Sequence, residues 1–186
     1  MFYTGAGDKG ETGIFGSGER LPKDDARIEA LGAMDELNSL IGVCKTRAAS
    51  NAVATASGAI KPSRRIVRIL EAMQQHLFIV QAELAGADKH LTEEHVKALE
   101  RLIDAIEKKL PPLRNFVLAG GSELAALLDY ARAVARRAER RAVAAHHIKP
   151  LSPHTLAYLN RLSSALFALA RLVNARVGRE EQHPHY

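Results

Sequence analysis

Past residue 23 the apolar positions of the chain recur at helical spacing almost to its end. Ile28, Leu31, Met34, Leu37 and Ile41 lay one stripe along a first helix. Ala48 to Pro62 is small and polar and reads as a connection. A second helix starts near Ser63 and repeats Ile66, Leu70, Met73, Leu77, Val80 and Leu84 in steps of four and three, until Gly86 and Asp88 end it. The third opens at Thr92, a capping residue followed by Glu93 and Glu94 in the first turn, where carboxylates suit the helix dipole. It runs through Val96, Leu99, Ile103, Ile106 and Leu110 to the stop at Pro111-Pro112. A fourth follows Gly120-Gly121, with Ser122 as cap, and continues to about His147. The fifth begins at Ser152-Pro153, cap then proline at the first helical position, and extends to about Arg176. Helical repeats without a strand pattern predict an all-α antiparallel five-helix bundle. The chain reads as a single domain over 1–186: a glycine-rich N-terminal loop at 1–22, the bundle at 23–176, and a polar tail at 177–186 expected to fray.

The head holds Gly5, Gly7, Gly10, Gly13, Gly16 and Gly18, six of the 13 glycines. That density predicts a loop, ordered by itself or by a ligand. Gly5 to Gly10 matches G-x-G-x-x-G, but a dinucleotide fingerprint must follow a strand and open a helix, and only four residues precede it. No Gly-Lys-Ser/Thr ends it, so it is no Walker loop either. Clustered glycines still let backbone N–H groups converge on an anion, with Lys9, Thr12 and Lys23 as added donors. A floppy N-terminus is the alternative.

Composition narrows the class. With 186 residues, 47% hydrophobic and 25% charged, the chain is an ordinary globule and not a disordered one. One cysteine, Cys44, excludes a disulfide framework and suits a reducing compartment. No apolar run is expected to span a membrane, and the N-terminus shows no leader pattern, so a cytoplasmic protein is expected. A net charge of +5 admits anionic partners without choosing among them. Aromatics at 5% with no Trp leave little for base stacking, which counts against nucleic acid.

The fourth helix carries the most chemistry. Asp129, Arg132, Arg136, Glu139 and Arg140 share one face, while Leu124, Leu128, Ala131, Ala135, Ala138, Ala142 and Ala145 form another that turns almost wholly to alanine. Alanine permits close helix approach, which predicts a central helix. Arginines four apart repel by a few tenths of a kcal/mol per pair; an anion would offset this, and a solvated cationic face is the bland alternative. Asp35, at the edge of the first stripe, is expected half-buried with an arginine of the fourth helix as partner. Asn38 falls inside that stripe, and Asn160 lies beside the stripe of the fifth helix. The only Glu-x-x-His, Glu180 to His183, lies in the tail, so no protein-built metal site is expected.

The ordered motifs Thr4-Gly5-Ala6-Gly7-Asp8-Lys9-Gly10, Gly18-Glu19-Arg20 with Lys23-Asp24-Asp25, Asp35-Glu36-Leu37-Asn38, Phe116-Val117-Leu118-Ala119-Gly120-Gly121, Arg136-Arg137-Ala138-Glu139-Arg140 and Asn160-Arg161-Leu162-Ser163 resemble the propanediol-utilisation type of ATP:corrinoid adenosyltransferase. The resemblance covers nearly the whole chain. It implies a homotrimer with sites between subunits, and transfer of the 5′-deoxyadenosyl group of MgATP to the cobalt of a reduced corrinoid, releasing triphosphate. Magnesium would arrive with ATP. By motif, the ATP contacts would be Thr4, Gly5, Ala6, Gly7, Thr12, Gly13, Lys23, Arg136, Arg137, Glu139, Arg140 and Asn160. Asp35 would pair with Arg132 at the corrinoid side, and Phe116 would press on the lower corrin face and keep the cobalt four-coordinate. A flavin-type reductase and an adenosylcobalamin-dependent enzyme are the expected partners.

The chain departs from the family pattern at Gly5-Ala6, where Arg-Thr is usual, at Ala119 for Pro, at Asp129 for His and at Ser164 for Asp. These changes flank the core motifs, so activity is expected to survive. A non-catalytic ATP or corrinoid sensor and a basic nucleic-acid binder are the competing readings.

Overall fold

Five helices account for most of the computed structural model, which describes residues 3–14, 18–50, 52–54, 60–62 and 64–185. Gly16 of the head, Ser63 and parts of the Ala48–Pro62 connection lie outside the described residues. The helices are α1 (Ala26–Ser50), α2 (Arg64–Leu84), α3 (Glu93–Glu107), α4 (Glu123–His146) and α5 (Pro153–Arg176). Each forms where apolar spacing and a stop or cap coincide. Ser122 caps α4 by accepting the Ala125 N–H at 3.4 Å, and Ser152 caps α5 by accepting the His154 N–H at 3.2 Å. Thr92 opens α3 with a capping box completed by His95, an unusual third residue for that motif.

α4 is the central helix, packed against α1 on one side and α5 on the other, with α2 beside α1 and α3 beside α5. Ion pairs give the orientation. Glu29, Glu36 and Arg47 of α1 meet Arg141, Arg137 and Glu123 of α4, so the two run antiparallel. The alanines predicted to allow close approach, Ala131, Ala135, Ala138, Ala142 and Ala145, are all buried. The α2 stripe from Ile66 to Leu84 is buried without exception. At about 25 cal/mol per Å² of apolar surface, these stripes supply the main favourable term in folding.

Two expected loops contain strands. In the head, β1 (Glu11–Gly13) pairs antiparallel with β2 (Arg20–Pro22), Thr12 opposite Leu21. After α1, β3 (Ala52–Ala54) pairs with β4 (Ile60–Pro62). Three-residue strands are too short to leave a period-2 signature. In the head Ile14 and Leu21 are buried, which gives the short hairpin apolar residues to hold it. The glycines act at its turns, where Gly5, Gly10 and Gly18 hold φ of 69°, 83° and 67°.

α5 also differs from expectation. By length and composition it is apolar enough to cross a membrane, but 56% of that stretch is buried, as a core helix requires. The tail, expected to fray, is hydrogen-bonded to the loop before α4: Leu118 N–H donates to the Gln182 carbonyl at 2.8 Å.

Candidate functional site

α4 carries five arginines on its outer surface, and the structure divides them by partner. Arg137 pairs with Glu36, and Arg141 with Glu29 at 3.5 Å, both on the α1 side. Arg132 pairs with Asp129 one turn earlier at 3.3 Å. Arg136 and Arg140 have no hydrogen bond or ion pair to their guanidinium groups among the described residues. These two line a cavity of about 280 Å³ with Glu139, Val143 and Asn160. Inside it Asn160 Nδ2 donates to Glu139 at 3.0 Å, while its Oδ1 accepts from Arg161 at 2.7 Å. Two unpaired cations four residues apart, backed by buried alanines, hold a fixed positive field facing solvent. A polyanion satisfies such a field; a neutral ligand does not.

The head builds a second cavity, of about 640 Å³. Thr12 and Lys23 line it with Ile28, Gly32 and Arg137 among others. Lys23 N–H donates to the Gly10 carbonyl at 2.8 Å, which tucks the hairpin end against the turn. The Lys23 amine lies so close that a Cβ on Gly7 would sit 3.3 Å from Nζ and 3.2 Å from the Glu11 carbonyl. Thr4, Gly5, Ala6 and Gly7 precede it in hydrogen-bonded turns, with Ala6 N–H donating to Thr4 Oγ1 at 3.4 Å and Asp8 N–H to the Gly5 carbonyl at 3.2 Å. Gly13 closes β1 opposite Arg20.

The sequence-predicted nucleotide residues therefore fall into two groups within one chain. Thr12, Lys23 and Arg137 line the head cavity, while Arg136, Glu139, Arg140 and Asn160 line the α4–α5 cavity, and none of the described residues lines both. The reason is helical geometry: adjacent residues point about 100° apart, so Arg136 and Arg137 serve different faces.

On the expected corrinoid side, Phe116 sits in the loop between α3 and α4 with 78% of its surface exposed. The glycines after it are clamped from α5. Asn174 Nδ2 donates to the Gly120 carbonyl at 2.8 Å and its Oδ1 accepts the Ser122 N–H at 2.9 Å. Gly121 has φ 93°, and a Cβ there would lie 2.5 Å from the Asn174 amide. Arg132 also lies over the Phe167 ring, 5.8 Å from its centroid.

The expected Asp35–Arg132 pair does not form within the chain. Asp35 is exposed, not half-buried, and has no ion pair among the described residues, whereas Arg132 is held by Asp129. Asp129 is 8% exposed, and desolvation makes a cation partner worth more there than at an exposed carboxylate. Burial pushes the Asp129 carboxyl up from its ordinary range, against the opposing pull of Arg132 and of the Gly120 N–H. Among the described residues no cluster of three or more His, Cys, Asp or Glu is placed to hold a metal ion.

Sequence reasoning missed Asn174, Asp129 and the tail as organisers of the Phe116 loop. A buried aspartate three residues before an arginine was the available signal for Asp129. Asn174 and the tail act on a loop more than 50 residues away, and no local pattern marks them.

A family model described as cobalamin adenosyltransferase matches residues 2–173. The chain is 44% identical over 181 residues to a corrinoid adenosyltransferase of Bacillus subtilis (strain 168), covering 95% of this chain and 88% of that protein. It is 36% identical over 190 residues to the corrinoid adenosyltransferase MMAB of Homo sapiens, covering 97% and 71%. Among solved structures, it is similar to a variant of the PduO-type ATP:corrinoid adenosyltransferase from Lactobacillus reuteri complexed with cobalamin and ATP. That likeness has a TM-score of 0.85 and 32% identity, over 99% of this chain and 96% of that one. A second variant of the same protein, complexed with ATP, gives a TM-score of 0.86 and 33% identity over 98% and 99%.

Proposed function

The chain belongs to the cobalamin adenosyltransferase family, and we infer that it transfers the 5′-deoxyadenosyl group of ATP to a reduced corrinoid. In that reaction Co(I) attacks C5′ of ATP. The Co–C bond forms, the C5′–O bond breaks with its electron pair leaving on triphosphate, and cobalt ends formally as Co(III). Co(I) is nucleophilic enough to need no general base, so the protein's task is to hold two substrates in line and take up charge on the leaving group.

The pair of unpaired arginines, Arg136 and Arg140, is the observation that carries the assignment of residues. They bind the triphosphate, whose charge rises as the C5′–O bond breaks. Glu139 and Asn160, bonded to each other at 3.0 Å, set the remaining contacts of the nucleotide in that cavity. Thr4, Gly5, Ala6, Gly7, Thr12, Gly13 and Lys23 supply backbone N–H groups, a hydroxyl and an amine from the head. Arg137, bonded to Glu36, stands beside Lys23 and orders the head side of the site. Magnesium travels with ATP and offsets part of its charge. Asp35 and Arg132 face the corrinoid, and Phe116 lies beneath the corrin, removing the lower ligand so that cobalt is four-coordinate and more easily reduced.

The two cavities of one chain share no lining residue among the described residues, which supports a composite site. In a homotrimer the head of one subunit meets the α4–α5 cavity of the next, and residues 1–186 act as one domain of that assembly. The working setting is cytoplasmic, with a flavin-type reductase supplying the electron and an adenosylcobalamin-dependent enzyme taking the product.

The test mixes the protein with MgATP and chemically reduced cobalamin and follows adenosylcobalamin by its absorbance and triphosphate by ion chromatography. Equal amounts of both are expected. ATP binding without either product would refute the reading, and light scattering that gives a monomer at working concentration would refute the shared site.

A further inference from the structure

The segment after α5 returns along the loop that carries Phe116 and bonds to its backbone at successive points. His183 Nδ1 donates to the Phe116 carbonyl at 2.7 Å, and Leu118 N–H donates to the Gln182 carbonyl at 2.8 Å. Behind them Arg171, only 8% exposed, donates from Nη2 to the Pro111 carbonyl and to Glu181, each at 3.0 Å, while its Nε also meets Glu181. A guanidinium this buried needs an anionic partner, and Glu181 is the one supplied, so the segment is anchored to the core by a charge pair.

The Phe116 ring gains nothing comparable. It is 78% exposed, and no ring contact to it occurs among the described residues. Side-chain packing therefore does not fix where the ring stands; the backbone that carries it does. That backbone is held at the Gly120 end by Asn174 and at Phe116 itself by His183. The His183 and Pro184 side chains also wall a cavity of about 570 Å³ with Leu113, Arg114 and Phe116, so the segment stands next to the ring it orients.

We propose that residues 179–185 form a strap that positions Phe116, with His183 as the positioning residue and the Arg171–Glu181 pair as its anchor. This rests on the reading of Phe116 as the group beneath the corrin. The strap's effect falls on the corrinoid half of the reaction. The ATP half is built from the head and the α4–α5 cavity, which the strap does not line.

The experiment compares wild type, His183→Ala, His183→Asn and Phe116→Ala in four readouts: melting temperature, ATP dissociation constant, turnover at saturating corrinoid, and the magnetic circular dichroism of four-coordinate Co(II)balamin with MgATP present. An asparagine amide places a donor near the position of Nδ1 and so serves as the rescue. His183→Ala is expected to lower the four-coordinate signal and turnover about five- to tenfold, the scale of one hydrogen bond. Melting temperature and ATP affinity should stay at wild-type values, and His183→Asn should restore most of the loss. Phe116→Ala should abolish the signal. A His183→Ala protein that matches wild type in signal and turnover, while Phe116→Ala loses both, overturns the strap and leaves the reading of Phe116 standing. Wild-type behaviour of Phe116→Ala overturns both. Equal losses in His183→Ala and His183→Asn, with a lowered melting temperature, overturn the positioning role in favour of a purely structural tail.

Discussion

Arg136→Ala separates folding from function with opposite signs. In the folded chain the Arg136 guanidinium is exposed and has no carboxylate partner among the described residues, so its removal orphans no buried charge. Arg132 and Arg140 stand four residues to either side, and each like-charge pair costs about 0.2–0.5 kcal/mol on a helix. Solvent screening at these exposed positions trims that figure. The variant should therefore fold as stably as wild type or slightly more so, by no more than about 0.5 kcal/mol, with Ala also the better helix former. ATP binding should move the other way. A charge-assisted hydrogen bond is worth about 1.5–3 kcal/mol, which converts to a loss of about 10- to 150-fold in affinity. Arg137→Ala is the internal control: it loses an exposed pair with Glu36 and should weaken ATP binding less. Urea unfolding gives the stability change and isothermal titration with MgATP gives the affinity. An Arg136→Ala protein with wild-type affinity, or one destabilised by more than about 1 kcal/mol, would refute the assignment, because the residue would then be holding the fold and not the nucleotide.

Three further outcomes follow from groups whose environment is unusual. Burial raises the Asp129 carboxyl pKa, so ionised Asp129 lowers stability at neutral pH, and that penalty is relieved as pH falls through the raised value. Asp129→Asn should thus gain most relative to wild type at pH 7 and converge with it in acid; denaturant midpoints that diverge as pH falls would contradict this. His76 bonds the Tyr158 hydroxyl at 3.0 Å and packs edge-on against His95, and burial lowers its pKa. Its neutral form is favoured by folding, so stability should be lost as pH drops below the ordinary histidine range, and His76→Gln should flatten that loss in pH-dependent melting. Gly121→Ala places a Cβ 2.5 Å from the Asn174 amide at a φ of 93°, and should cost well over about 1 kcal/mol in urea unfolding and slow the corrinoid-dependent rate. ATP affinity of that variant should be unchanged by titration.

What the chain dictates locally was legible before folding. The α2 stripe, the Ser122 and Ser152 caps and the alanine face of α4 all reappear as read, because apolar periodicity and capping act within a few residues, whereas α3 ends at Glu107, short of the Leu110 expected from the Pro111-Pro112 stop, and finishes in tighter turns. The ordered motifs, which carry the resemblance to the family, were legible too. The hairpins of the head and of the α1–α2 connection were not legible. Three-residue strands form because pairing and anchoring residues such as Ile14 and Leu21 favour them, not because their sequence alternates. Partner choice among charges also waited for the tertiary structure. A sequence places Asp129 one turn before Arg132 but cannot say that Asp129 is buried while Asp35 is exposed, or that Glu29 and Glu36 take Arg141 and Arg137 and leave Arg136 and Arg140 without an ion pair among the described residues. Coulombic and hydrogen-bond energies depend on distance and desolvation, and both are set when helices far apart in the chain are brought side by side. The same holds for the tail: polar and glycine-led, it reads as frayed, yet a buried arginine on α5 and open backbone groups on the Phe116 loop give it partners that only the folded chain assembles.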